Sequence, residues 1–272
     1  MSGLDVSPAA SVEAGRPVLR RGDVDPAVPA LRALLANRGF EPAATDSDRF
    51  DRDLEDAVEV YQSQAIDADG RPLAVDGIVG PMTWWALTTP YQFGAHAKSP
   101  GLTTAELPDG GSPLGRMALR VAIAEALQGA KEIGRNNSGP WVERYLNGIT
   151  PAPANWCAGF VSYCVSAAAD ILRVPSPIRH SLGARDILRQ LREQGLGYTL
   201  TERLPQPGDV VVWWRGRRLG WMGHIGIVHH VADDGVLWTI EGNRGAYPAP
   251  VRTYTYALAG MERLLGFGRL GE

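Results

Sequence analysis

The sequence predicts an α+β protein, in which a small helical module precedes a larger domain with helices first and antiparallel strands after them. Apolar residues recur at helical spacing in both parts, and strand-like segments begin only after residue 208. A stretch rich in Pro, Gly, Ser and Thr separates the two parts. We therefore expect a flexible tail (1–15), a three-helix domain (16–90), a linker (91–113) and a second domain (114–272).

The composition is that of an ordinary globular protein, with 44% hydrophobic and 21% charged residues. This excludes a disordered chain, a collagen-like chain and a coiled coil. No apolar stretch approaches the roughly 20 residues of a membrane-spanning helix. The first residues lack the basic and apolar regions of a secretory signal, so we expect synthesis in the cytoplasm without one.

Charge supports the division into two modules. Residues 16–90 carry 8 Lys/Arg against 13 Asp/Glu, whereas residues 114–272 carry 18 against 13. Halves of opposite sign indicate separate modules. The net charge of −3 gives no reason to expect nucleic acid as a partner.

Both modules show recognisable helix and strand signals. In the first, one helix begins after an Asp25 cap and ends before Gly39, a second begins near Asp51, and a third begins at Pro81. In the second module, the helical patterns come first and the strand patterns follow them. Its predicted helices span 114–133, 141–146, 155–173 and 183–194, and its predicted strands span 209–214, 224–231, 236–243 and 263–270.

The two cysteines, Cys157 and Cys164, exclude a disulfide scaffold and a four-cysteine zinc module. They lie seven residues apart on one predicted helix, about 10.5 Å along its axis, which is too far for a disulfide. Asn155 is the predicted helix cap, and it places Cys157 in the first turn, where unpaired N–H groups and the helix dipole favour a thiolate. Cys157 is therefore the candidate nucleophile, and Cys164 is interpreted as a small buried hydrophobic residue.

A general base is predicted on the strand that begins at His224. A hairpin turn joins this strand to the next one, either with Ala232 opposite Gly235 or with Asp234 and Gly235 in a type I′ turn, which shifts the register by two. In both registers His224, Glu241 and Asn243 share one face of the sheet, and only a bulge would spoil this arrangement. A thiol, an imidazole and a polar orienting group are the parts of a papain-like cysteine hydrolase.

The first module resembles the peptidoglycan-binding type 1 family in three segments: LRRGD at 19–23, AVEVYQSQ at 57–64 and VDGIVGPMTWWAL at 75–87. The resemblance implies a three-helix domain that holds a catalytic partner against bacterial peptidoglycan. Three of its residues are candidate wall contacts, namely Asp76, Gly77 and Trp84. The alternative is that the first two shape a turn and the tryptophan fills a core.

The second module resembles the CHAP family, the cysteine- and histidine-dependent amidohydrolases and peptidases, and is similar to the related NlpC-type hydrolases. The segments are NWCAGFVSYCV at 155–165, PQPGDVVVWW at 205–214, GHIGIV at 223–228 and TIEGN at 239–243. The resemblance implies a papain-like domain in which Cys157 is the nucleophile, His224 the base and Glu241 the group that orients the imidazole. Asn243 would be an auxiliary polar contact.

Trp156 precedes the nucleophile where many members of the family have a polar residue, so this sequence departs from the family pattern beside the expected oxyanion site. The Cys157 backbone N–H is one expected donor, and Asn155 and Trp156 are the other candidates for oxyanion or substrate contact. The resemblance implies no cofactor and no metal. A zinc site made of Cys157, His224 and His230 is the metal-dependent alternative, and no HExxH spacing supports it.

Together the two resemblances imply a peptidoglycan hydrolase that cleaves an amide bond of the wall peptide. It would be either an N-acetylmuramoyl-L-alanine amidase or an endopeptidase. An inactive wall-binding adaptor protein is the alternative from another class, and the complete Cys/His/Glu set speaks against it. The enzyme would reach the wall after phage-type lysis, as an endolysin does, or through a secretion apparatus. An antibacterial effector of the second kind would have a cognate inhibitory protein as a partner.

Overall fold

The computed structural model describes residues 15–38, 40, 47–65, 67, 73–89, 101–245 and 247–272. The chain forms two compact units, one of residues 1–98 and 245–247 and the other of residues 99–244 and 248–272, and each has its own hydrophobic core. Most of the predicted tail, Gly39 and the first part of the predicted linker lie outside the described residues. Among the described helices, none combines the length and apolarity needed to cross a membrane.

The first unit contains three helices: α1 (Val28–Asn37), α2 (Arg52–Gln64) and α3 (Pro81–Thr88). Asp51 caps α2 by accepting a hydrogen bond from the Leu54 N–H. The first helix begins later than predicted, because the Asp25 carboxylate accepts the N–H of Ala27 in a turn that precedes the helix. Buried residues of all three helices form one core.

The second unit begins with four helices: α4 (Pro113–Leu127), α5 (Pro140–Leu146), α6 (Cys157–Leu172) and α7 (Ala184–Glu193). Helix α4 ends six residues before the predicted end at residue 133, in a turn that contains Gly129 in the left-handed region at φ +73°.

Residues 101–112, which the sequence analysis assigns to the linker, contact this second unit. Leu102 and Leu107 pack against its core, and the Ser112 hydroxyl donates to the Leu270 carbonyl at 2.9 Å while capping α4. The cap and the apolar contacts therefore make this segment part of the second unit.

Six antiparallel strands form one sheet in the order β1-β6-β2-β3-β4-β5. They are β1 (Gly197–Tyr198), β2 (Val210–Trp214), β3 (Gly223–Val231), β4 (Val236–Glu241), β5 (Arg252–Ala257) and β6 (Leu264–Gly268). This α+β architecture agrees with the predicted fold class. Two strands, the two-residue β1 and β5, were not predicted from the sequence.

The hairpin of β3 and β4 contains a bulge near its turn. At the other end, where His224 and Glu241 lie, the predicted register is kept. Near the turn, His230 pairs with Trp238, and the register shifts by one between Val228 and His230. Beyond this shift, Ile227 pairs with Ile240, in the register expected with Ala232 opposite Gly235. The bulge therefore lies on the turn side, and the alternation that puts His224 and Glu241 on one face is preserved.

Candidate active site

The Cys157 thiol lies where helix α6 meets the start of β3. Cys157 is the first residue of α6, so its position in the first turn is as predicted. The N-cap is Trp156 and makes no side-chain cap bond, so the prediction that Asn155 caps the helix is wrong. Helix α6 packs against β3, and Cys157 belongs to the same buried core as Ile225, the residue after His224.

Burial changes the protonation expected for this thiol. Cys157 is 7% exposed, and desolvation raises its pKa to about 11, although the Ala158 N–H, the Arg215 charge and the Ile225 N–H act in the opposite direction. The expectation that the helix start favours a thiolate at neutral pH is therefore not met. The reason is that the cost of burying a charge exceeds the contribution of the helix end. At rest Cys157 is a protonated thiol.

His224, the second residue of β3, bonds directly to the predicted orienting residue. Its Nε2 atom lies 2.7 Å from Oε2 of Glu241, and its ring stacks on Trp213 at 5.9 Å between centroids. Desolvation lowers the pKa of His224 to about 4; Glu241 opposes the shift, and the Arg215 and Arg244 charges add to it. The imidazole is therefore neutral at pH 7. With the proton on Nε2 facing the carboxylate, Nδ1 is the basic atom.

Glu241, the last residue of β4, is fully buried and accepts four hydrogen bonds. Its Oε1 accepts from the Thr239 hydroxyl at 2.5 Å and the Tyr256 hydroxyl at 2.6 Å. Its Oε2 accepts from His224 and from the Arg244 guanidinium at 3.1 Å. Burial alone would raise the pKa of Glu241, but the Arg244 charge and the bonds from His224 and Thr239 hold it well below its usual range. The carboxylate is therefore ionised and fixed in orientation.

Three of these supporting residues, Thr239, Arg244 and Tyr256, were missed in the sequence analysis. Thr239 stands two residues before Glu241, so strand alternation could have placed both on one face. Tyr256 lies on β5, a strand that was not predicted, and Arg244 follows β4 in a loop. The Arg244 guanidinium also contacts the Tyr256 hydroxyl and lies over the rings of Tyr254 and Tyr256.

Asn243 lies beside the nucleophile segment instead of bonding the imidazole. It is 2% exposed and has φ +56°, a left-handed conformation that asparagine tolerates better than most residues. Its Nδ2 donates to Oδ1 of Asn155 at 3.3 Å. The structure thus connects Asn243 with Asn155, which is exposed and immediately precedes the Trp156–Cys157 pair.

The Trp156 side chain belongs to the core of the second unit. It is fully buried, stacks on Tyr145 at 5.5 Å, and its indole N–H donates to Oε1 of Glu132 at 3.0 Å. A Cβ on Gly242 would lie 2.2 Å from this indole ring. The candidate role of Trp156 as an oxyanion or substrate contact is therefore corrected: its N–H already has a partner, and its ring packs the helix start against the end of β4.

In the first unit, the three candidate wall contacts have structural roles. Trp84 is 1% exposed, and its indole N–H donates to the Pro17 carbonyl at 2.8 Å. The Asp76 carboxylate accepts from the Ile78 N–H at 3.0 Å, and the buried Gly77 has φ +69°. The buried Gln62 amide bonds to this turn on both sides. These contacts match the alternative in which the residues shape a turn and fill a core.

The three ligands of the alternative zinc site do not lie close together. His230 stacks on Trp238 beyond the bulge, and it lies six residues from His224 along β3, about 20 Å in an extended strand. Within the described part of the chain, no three or more His, Cys, Asp or Glu side chains group as a metal site would require. The structure therefore does not bring Cys157, His224 and His230 together around one ion.

Comparison with known families agrees with the domain order. Residues 24–87 match the model of a putative peptidoglycan binding domain, and residues 149–243 match that of the CHAP domain. The second match contains Cys157, His224, Glu241 and Asn243. No curated protein and no solved structure matches the chain.

Proposed function

From a peptidoglycan-binding domain followed by a CHAP domain, we infer that the protein is a peptidoglycan hydrolase, and we propose that it cleaves an amide bond of the wall peptide by cysteine catalysis. One observation carries the proposal: Nε2 of His224 lies 2.7 Å from Oε2 of the buried Glu241, and Ile225, the residue after His224, belongs to the same buried core as Cys157. We assign Cys157 as the nucleophile, His224 as the base and Glu241 as the orienting carboxylate.

The resting pair is neutral, so the proton moves during attack. Nδ1 of His224 takes the thiol proton as the sulfur of Cys157 forms a bond to the amide carbonyl carbon. The imidazolium that forms is stabilised by the Glu241 carboxylate across 2.7 Å. This stabilisation arises only after proton transfer, so it lowers the barrier without binding the substrate more tightly.

The tetrahedral oxyanion needs donors at the helix start. The backbone N–H of Cys157, the first residue of α6, has no acceptor four residues earlier in the helix and is the proposed first donor. The carboxamide of Asn155, held by Asn243 through its oxygen, is the proposed second donor.

The reaction then proceeds through a thioester. The C–N bond breaks, the leaving amine takes the proton from the imidazolium, and the acyl group remains on Cys157. Water attacks this thioester while Nδ1 accepts a proton, which releases the carboxylic acid and regenerates the thiol. The bond from N-acetylmuramic acid to L-alanine and the bonds within the peptide are all amides, so both amidase and endopeptidase products follow from this chemistry.

Mass spectrometry of muropeptides released from purified sacculi tests the proposal and identifies the bond. The wild-type protein should release new amine and carboxyl ends at one position, and Cys157→Ser should release none. Cys164→Ser is the matched control, because this fully buried thiol lies in the middle of α6. Release by the Cys157→Ser protein would refute cysteine catalysis, and binding of wild-type protein without any release would favour the adaptor alternative.

A further inference from the structure

The guanidinium of Arg215 is a buried cation that the mechanism above does not use. Arg215 follows the last residue of β2 and is 2% exposed. Among the described residues, its guanidinium donates one hydrogen bond, from NH1 to the Trp214 carbonyl at 3.2 Å. Its Nε atom is buried and has no hydrogen-bond partner. Arg32 and Arg244 are also buried, but each forms an ion pair, with Asp51 and Glu241 respectively, so the guanidinium of Arg215 is unusual.

Arg215 belongs to the face of the sheet that carries His224. Trp213 pairs with His224, and the Arg215 N–H continues the ladder by donating to the Met222 carbonyl at 3.1 Å. Side chains two residues apart on a strand share a face, so Arg215 follows Trp213 along the same face. The charge of Arg215 acts on both groups. It opposes the rise in the pKa of Cys157 that burial causes, and it adds to the fall in the pKa of His224.

The site contains more buried positive than negative charge. Glu241 forms an ion pair with Arg244 and accepts its other bonds from His224, Thr239 and Tyr256. No carboxylate of the described residues forms an ion pair with Arg215. Burying a cation without such a partner is costly, and its retention beside a catalytic centre indicates an anion supplied from outside the chain.

We propose that Arg215 binds a free carboxylate of the wall peptide close to the scissile amide, and so makes the enzyme selective for acidic over amidated peptides. This inference rests on the proposed function and specifies its substrate class. A guanidinium presents Nε–H and a terminal N–H in one plane, which matches the two oxygens of a carboxylate. Wall peptides offer such groups on their glutamyl and diaminopimelyl residues, and modification to carboxamides removes the charge.

Two soluble muropeptides test the proposal directly, one with a free glutamyl carboxylate and one with a carboxamide at that position. Hydrolysis is measured for the wild type, Arg215→Met, Arg215→Lys and Arg218→Met, the last an exposed cation of the same loop. We expect Arg215→Met to raise KM for the acidic peptide by about tenfold to a hundredfold, the usual range for a bond between charged groups. KM for the amidated peptide should change little.

The two remaining variants refine this result. Arg215→Lys keeps the charge but loses the planar fork, so its KM for the acidic peptide should lie between those of the wild type and Arg215→Met. Arg218→Met should behave as the wild type. Arg215→Met should also melt at the same temperature as the wild type or higher, because it removes an unpaired buried charge.

Three outcomes would overturn the inference. The first is a wild-type enzyme that cleaves both peptides with the same KM. This result would refute the selectivity even if the Arg215 variants fail to fold. The others are an equal rise in KM for both peptides, and a loss of kcat alone, which would make Arg215 a positioning residue. A wild-type enzyme that cleaves neither peptide and releases nothing from sacculi would refute the proposed function itself, whereas one that digests sacculi without preference would refute only this inference.

Discussion

Gly226 and Glu241 lie so close that a Cβ at position 226 would be 2.6 Å from Cγ and 3.3 Å from Cδ of the glutamate. Both residues are on the face of the sheet that carries His224. The missing side chain at 226 leaves room for the Glu241 carboxylate to lie across β3 and reach Nε2 of His224 at 2.7 Å. Gly226, the second glycine of the GHIGIV segment, is therefore required for the contact between Glu241 and His224.

Gly226→Ala should reduce kcat because the added methyl group displaces the Glu241 carboxylate from the imidazole. We expect a loss of about 10²-fold, since a misplacement of about 1 Å can have that effect. Gly101→Ala is the control, because a Cβ at 101 meets no atom within 4 Å. Steady-state hydrolysis of a soluble muropeptide, together with circular dichroism, measures the effect. A folded Gly226→Ala protein with wild-type kcat would contradict this account of the pair.

Glu241→Gln should lower kcat by roughly 10²-fold or more and leave KM nearly unchanged, because the neutral amide cannot stabilise the imidazolium. The NH₂ group of the glutamine would also face hydrogen-bond donors that the Glu241 carboxylate now accepts from, so the melting temperature of the variant should fall. Tyr256→Phe keeps the carboxylate and removes one of its four donors, so its kcat should fall less. Asn243→Ala should also have a smaller effect. Equal activity of Glu241→Gln and the wild type would show that another group orients His224.

The reactivity of Cys157 toward iodoacetamide should increase with pH up to about 11, the raised pKa of this buried thiol. A resting thiolate–imidazolium pair would instead give a plateau at neutral pH. Alkylation rates measured between pH 5 and pH 10 by intact-protein mass spectrometry distinguish the two states. The Cys157→Ser protein is the control, because it reports the background from Cys164, whose pKa burial raises well above its usual value. A plateau below pH 7 would refute a neutral resting pair.

Acid should act on stability as well as on activity. The pKa of His224 is about 4 in the folded protein, below its ordinary value of 6.5. Between these two pH values the unfolded chain binds a proton that the folded chain does not, so the free energy of unfolding falls as pH falls. In the wild type, kcat/KM should decline only as pH approaches 4. His224→Gln should lose less stability than the wild type between pH 7 and pH 5 in thermal melts, and an identical loss would contradict the assignment.

Removal of residues 1–98 should separate wall binding from catalysis. The remaining fragment keeps Leu102, Leu107 and Ser112, which contact the second unit, and it has a core of its own. It should hydrolyse soluble muropeptides at the wild-type rate and digest sacculi more slowly, because it loses the high effective concentration that a second binding module provides. The 1–98 fragment should sediment with sacculi and release nothing. A 1–98 fragment that stays in the supernatant would refute the wall-binding role.

Much of the candidate site follows from local rules in the sequence. The helix period places Cys157 at the first turn of α6, and the strand period places His224 and Glu241 on one face despite a bulge, because the shift occurs on the turn side of the hairpin. The helix period and the strand alternation depend only on residues that are close along the chain or paired across one hairpin turn, so both can be applied to a sequence alone. The order of the two domains likewise follows from contiguous motifs.

The protonation states and the supporting residues were decided by the tertiary structure. The raised pKa of Cys157 and the lowered pKa of His224 come chiefly from desolvation, which depends on what other segments cover each group. The Tyr256 hydroxyl reaches Glu241 from β5, a strand that was not predicted, and no periodicity along the chain predicts that contact. The sequence by itself determined which groups could react, because their spacing is local; burial, a property of the whole fold, decided how they are charged.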